Sequence, residues 1–106
     1  MPAFLVVRCV IADPALRSAF HEWYATDHLP WAVAAFRAQK GWRLRSEADP
    51  ALHYAVYQFN HAAEIETALK SESFRELVAD FDRRWPSGVT RTREIVTMIQ
   101  EIEPSS

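Results

Sequence analysis

The chain has 106 residues, 49% of them hydrophobic and 12% aromatic, and carries a formal net charge of -2 from 12 basic and 14 acidic side chains. That length holds one core, that composition excludes a disordered tail, and a near-neutral balance without any long run of lysine or arginine excludes a nucleic-acid footprint. Cys9 is the single cysteine, so an intrachain disulfide and a cysteine-based zinc centre are excluded, and the reducing cytoplasm is the expected compartment.

The opening residues have only a few apolar positions before Arg8 and no basic lead, so they do not read as a signal peptide. No stretch nears the ~20 apolar residues of a membrane span, and no membrane partner is expected. Phe4 to Ile11 is rich in β-branched residues and predicts a strand; both of its faces are apolar apart from Arg8, as in a strand covered on both sides. Asp13 then supplies an N-cap and Pro14 a first helical position. Leu16, Phe20, Trp23 and Tyr24 follow as one apolar stripe at helical spacing. Pro30 lacks an N–H and clashes with the preceding turn, which predicts a kink or break around Thr26 to Leu29 and a second helical stretch from about Pro30 to Ala38. Gly41 is the expected C-terminal cap.

Trp42 to Ala48 alternates as a strand, Asp49–Pro50 makes a turn, and Leu52 to Phe59 is the most strand-like segment in the chain. The two strands form a hairpin. Asn60 is the expected cap of a short helix carrying Ile65, Ala68 and Leu69. Ser73 and Glu76 fit a capping box for the next helix, which carries Phe74, Leu77, Val78, Phe81 and Trp85. Thr92 to Ile102 predicts a fourth strand, followed by a frayed end.

The order β-α-β-β-α-β predicts a single α+β domain of the ferredoxin-like class, with helices on one face of a four-stranded antiparallel sheet. Val6, Val10, Tyr54, Val56, Val96 and Met98 are the expected residues of the other face. An apolar face of that size predicts association, most simply a two-fold homodimer that pairs sheet against sheet.

Phe20, Trp23, Tyr24, His28 and Pro30 fill the pattern F-x-x-W-Y-x-x-x-H-x-P, and Tyr54, Val56, Tyr57, Gln58 and Phe59 fill a later Y-x-V/A-Y-Q/E-F strand. With the S-x-x-F-x-x-L helix that follows, these motifs resemble the dimeric α/β-barrel proteins, particularly their EthD-like branch, over roughly residues 4–101. The resemblance implies a homodimer whose sheets face each other across a barrel, with a small-molecule pocket in each half. It also implies a range of activities: muconolactone-type isomerases, aromatic polyketide cyclases, cofactor-free monooxygenases and haem-handling proteins share the fold, and only the site discriminates among them. The proline–glycine pair of the family before the second strand is represented here only by Gly41 after Lys40.

His28, beside the break made by Pro30, is the candidate catalytic residue, because an imidazole titrates near neutral pH and can carry a proton. The alternative is a structural histidine bonded to a carbonyl freed by Pro30. Trp23 and Tyr24 are core residues or walls of a binding pocket, and the Tyr24 hydroxyl needs a partner if buried. Arg8 either anchors the carboxylate of a substrate or pairs with Glu94. Tyr54 and Gln58 share one strand face and fit the wall of a site for a planar ligand, or ordinary cross-strand packing. His21 reads as a surface residue, His53 and His61 as peripheral, and Cys9 as an inert buried thiol. No H-x-H, H-x-x-x-H or HExxH spacing occurs, so neither a metal nor another cofactor is expected. The sequence therefore reads as a small-molecule-binding barrel protein with a small hydrophobic or aromatic ligand. It is either a cofactor-independent isomerase, cyclase or monooxygenase, or a non-catalytic ligand-binding or accessory protein of the same fold. Haem handling through His28 or His53 is the third option.

Overall fold

A computed structural model describes residues 1–105. Four strands, β1 (Ala3–Ile11), β2 (Lys40–Arg45), β3 (Leu52–Phe59) and β4 (Val89–Thr97), form one antiparallel sheet in the order β2-β3-β1-β4. Between β1 and β2 lie α1 (Arg17–Trp23) and α2 (Leu29–Phe36), and between β3 and β4 lie α3 (Ala62–Leu69) and α4 (Glu72–Arg84). This is the expected ferredoxin-like arrangement. Among the described residues no helix is long and apolar enough to cross a membrane.

The period-two alternation of a strand assigns the faces. On β1 the residues Ala3, Leu5, Cys9 and Ile11 are buried under the helices, as are His53, Ala55, Tyr57 and Phe59 on β3. Phe20, Trp23, Ile65, Leu77, Phe81 and Trp85 close the core from the helical side. The intervening residues Phe4, Val6 and Val10 share the opposite face with Tyr54, Val56, Trp42, Leu44 and Val96, since Val6 pairs with Val56 and Phe4 with Val96. Trp42 and Val96 are 38% and 37% exposed there, so an apolar face stands open on the single chain.

Pro30 does not break the helix. A π-helical turn over Tyr24–His28 joins α1 to α2, and the Leu29 N–H donates to the Tyr24 carbonyl five residues back. The widened turn makes room ahead of the proline ring, and Thr26 Oγ1 donates to the Glu22 carbonyl four residues back at 2.9 Å. Helix α2 then ends through Arg37, at φ 56°, with the Ala38 N–H donating to Val33 O at 3.1 Å. Arg37, not Gly41, thus takes the left-handed cap position. Gly41 lies within β2, where a Cβ would stand 2.6 Å from Val33 Cγ2, so its smallness lets α2 approach the sheet.

Two further caps differ from expectation by a residue or two. His61 rather than Asn60 caps α3, reciprocated by Glu64 Oε1, which accepts from the His61 N–H at 3.0 Å. Ser71 rather than Ser73 caps α4, its Oγ accepting from the Phe74 N–H at 3.1 Å. In both cases the chain enters the helix earlier or later than composition suggests because several capping residues stand in a row. Strand β4 starts earlier and ends earlier than expected, at Val89 and Thr97. Gly88, at φ 80°, makes the turn into it.

Candidate functional site

The π-helical turn fixes the site. It places Tyr24 and His28 on the same side of the helix with ring centroids 4.8 Å apart, over the part of the sheet where Tyr57 rises from β3. The three side chains border a cavity of about 100 Å³ whose apolar walls are Leu5, Val7, Ala32, Phe36, Leu77 and Phe81. Arg91 and Arg93, on the edge strand β4, complete the lining. The Arg91 guanidinium lies 4.0 Å from the Phe81 ring centroid and pairs with Asp82 at 3.2 Å. Arg93 lies 4.7 Å from the Phe74 ring centroid.

Three polar groups of this cavity, His28, Tyr24 and Tyr57, are neutral and largely held away from water. Burial pushes the His28 imidazole down to about 4; nearby Asp80 opposes this and Arg91 adds to it. Its Nδ1 is buried with no hydrogen-bond partner. Burial pushes the Tyr24 phenol well above its ordinary value and Tyr57 up to about 12. The two phenols are neighbours, and their interaction raises the Tyr24 value further while partly offsetting the rise at Tyr57. Each phenol is therefore a neutral hydrogen-bond donor at physiological pH. Cys9, fully buried and pushed up to about 12 by burial, has no part in this chemistry.

The residues singled out from the sequence divide between two faces. Tyr24 and His28 meet in the cavity, and Trp23 stacks behind His28 with ring centroids 4.7 Å apart. Arg8, Tyr54 and Gln58 lie together on the opposite, open face of the sheet, where Arg8 pairs in register with Tyr54 and Thr92. No ion pair links Arg8 to Glu94 among the described residues; Glu94 stands opposite Val6. Tyr57, Arg91 and Arg93 are the cavity residues that the sequence reading missed. Their signal was the alternation itself: Tyr57 shares parity with Ala55 and Phe59, the small and apolar positions that mark the helical face. His53 is buried, not peripheral, and accepts from Arg43 Nε at 3.1 Å.

No protein-family model matches the chain, and no curated protein does. Solved structures do match it. SnoaB from Streptomyces nogalater, a cofactor-independent oxygenase, superposes in its N63A form with a TM-score of 0.73 at 14% identity, over 97% of this chain and 98% of that one. An EthD family protein from Bacillus halodurans matches with a TM-score of 0.69 at 13% identity over 91% of this chain and 99% of that one. What these chains share with this one is the ferredoxin-like fold. A protein of unknown function from Nitrosomonas europaea matches at 19% identity with a TM-score of 0.66, over 100% of this chain and 98% of that one.

Proposed function

We propose that this chain binds a compact cyclic ligand between helices and sheet and transfers a proton without a cofactor. The observation behind the proposal is the meeting of one imidazole with two neighbouring phenols in a largely apolar cavity. The volume of about 100 Å³ is below the ~150 Å³ of an engineered apolar cavity that admits benzene, so the fit is to one ring with modest wall movement. An enolisable cyclic ketone or lactone, or a phenol, suits the lining.

In this reading His28 Nε2 takes a proton from carbon, or from a phenol, while the electron pair moves to the carbonyl oxygen. The Tyr57 and Tyr24 hydroxyls donate to the oxyanion that forms. Proton transfer is coupled to binding: the imidazole is neutral in the empty site, and a ligand oxyanion beside it raises its basicity. The resulting enolate can be reprotonated elsewhere, attack a carbonyl of its own, or reduce dioxygen. These outcomes correspond to isomerase, cyclase and oxygenase chemistry, and SnoaB supports the last by fold alone.

The functional unit of this proposal is a homodimer in which the open sheet faces pair, and Arg8, Tyr54 and Gln58 then serve that interface. A non-catalytic binding protein is the second reading, favoured by the low basicity of His28 in the empty site. Deuterium uptake by cyclohexane-1,3-dione in heavy water separates the two. A catalyst accelerates exchange, loses that effect in His28→Ala, and retains ligand affinity within a few-fold. Binding without accelerated exchange, unchanged by His28→Ala, leaves only the binding reading.

A further inference from the structure

A second cluster of titratable groups stands at the β2 edge of the sheet, away from the Arg91 and Arg93 side of the cavity. Arg43 projects from β2 toward α1, where its Nε donates to His53 Nε2 at 3.1 Å and its Nη2 meets His21 Nδ1 at 2.8 Å. Arg45, two positions on and therefore on the same strand face, pairs in register with His53. These four side chains and Leu44 line an open cleft of about 350 Å³.

The charge there is uncompensated. Neither Arg43 nor Arg45 forms an ion pair among the described residues, although three arginines elsewhere do. Imidazole nitrogens are the hydrogen-bond partners of Arg43, and they neutralise nothing. His53 is 1% exposed, and because its Nε2 accepts from Arg43 its own proton sits on Nδ1, which has no partner. Half-burying a guanidinium without a counter-ion is costly, and burial accordingly lowers the proton affinity of Arg43. Of the five N–H donors in a guanidinium, two on Arg43 are committed to the histidines, which leaves the rest of the fork for a ligand.

We propose that the His21–Arg43–Arg45–His53 cleft is an oxyanion site that takes a phosphate group, as free phosphate or as a small phosphate ester. The imidazoles hold the Arg43 plane in place, so its remaining N–H groups are preorganised for paired bonds to two oxygens. Arg45 supplies the second charge from the rim. The site does not depend on the chemistry assigned to His28.

The test is titration of the protein with inorganic phosphate and with phenyl phosphate, following the His21 and His53 ring signals by NMR, against sodium chloride at matched ionic strength. Both ring signals are expected to move saturably with phosphate and not with chloride. Arg45→Gln, an exposed change that leaves the core untouched, is expected to weaken binding by about tenfold. Arg43→Lys keeps the charge but loses the fork and is expected to weaken it at least as much. Tighter binding of phenyl phosphate identifies an ester site, and tighter or equal binding of the inorganic ion identifies a site that reads the phosphate alone. Signals that follow ionic strength only, or midpoints unchanged in both variants, overturn the proposal.

Discussion

The imidazole of His28 lies on the indole of Trp23, with centroids 4.7 Å apart and planes 28° from parallel. The stack removes water from one face of the ring, and Tyr24 and Phe81 meet it edge-on at 4.8 and 5.7 Å. Such an enclosure favours the neutral imidazole, and the same holds for His53, which burial and the Arg43 charge hold at about 3. The unfolded chain takes up a proton at each histidine below about pH 6.5, whereas the folded chain resists protonation until about pH 4 at His28 and about pH 3 at His53. Stability is therefore complete above pH 6.5 and falls through that window, by roughly 1.4 kcal/mol per pH unit for each histidine. Urea denaturation at several pH values should show this slope, and His28→Phe, which keeps a ring on Trp23, should remove about half of it. An unchanged slope in that variant would mean that His28 is not the buried titrating group.

Tyr24 and Tyr57 set neighbouring phenols between the π-helical turn and the sheet. Removing either hydroxyl takes a polar neighbour from the other in an apolar setting, so Tyr24→Phe and Tyr57→Phe should each cost about 0.5–1.5 kcal/mol. The double variant should cost less than the sum, with a coupling of about 1 kcal/mol in a double-mutant cycle. Strict additivity would show that the hydroxyls act separately. For ligand binding the same cycle should be more severe, since the two phenols are the neutral donors available to an oxyanion in the cavity.

Gly41 sets the distance between α2 and β2. A methyl group there would lie 2.6 Å from Val33 Cγ2, and a β-branched valine has little freedom to withdraw. Gly41→Ala should destabilise the protein by about 1–3 kcal/mol. Val33→Ala, combined with it, should restore much of the loss by vacating the space. Thermal or urea unfolding of the two single variants and the double variant measures this, and a double variant no better than Gly41→Ala would place the strain elsewhere.

The topology was legible because β1 and β3 are runs rich in β-branched and aromatic residues and α4 carries an apolar stripe of Phe74, Leu77, Val78 and Phe81. The faces were legible as well: Val6, Val10, Tyr54, Val56 and Val96 are expected on the side away from the helices and lie there. Tyr57 was harder to single out, because both faces of β3 carry rings and polar atoms and only the packing of the helices shows which ring borders a cavity. Pro30 reads as a helix breaker because its missing N–H is a local fact, whereas the π turn that accommodates it depends on packing against Phe81 and the sheet. Tyr24 and His28 were found because the spacing is on the helix itself. Arg91, Arg93 and Arg43 were not, because each looks like an ordinary polar position of an edge strand until the strand order is known.

The open sheet face yields the last expectation. Phe4 and Trp42 meet across it with ring centroids 6.5 Å apart, and Leu44 and Val96 extend the apolar surface to 53% and 37% exposed positions on the two edge strands. Exposed apolar area spread over four strands is stabilised by burial at ~25 cal/mol per Å², and a second copy offers the matching surface through a two-fold axis. Arg8 and Glu94 lie on the same face in neighbouring strands, so a two-fold operation can bring unlike charges together across the interface. Sedimentation equilibrium should give about twice the 12.2 kDa of one chain. Trp42→Glu places a charge in the apolar field of that face and should shift the species to the single-chain mass while the fold, read by circular dichroism, persists. A single-chain mass for the unaltered protein at micromolar concentration would rule out pairing through this face, and the cavity under the helices would then have to function within one chain.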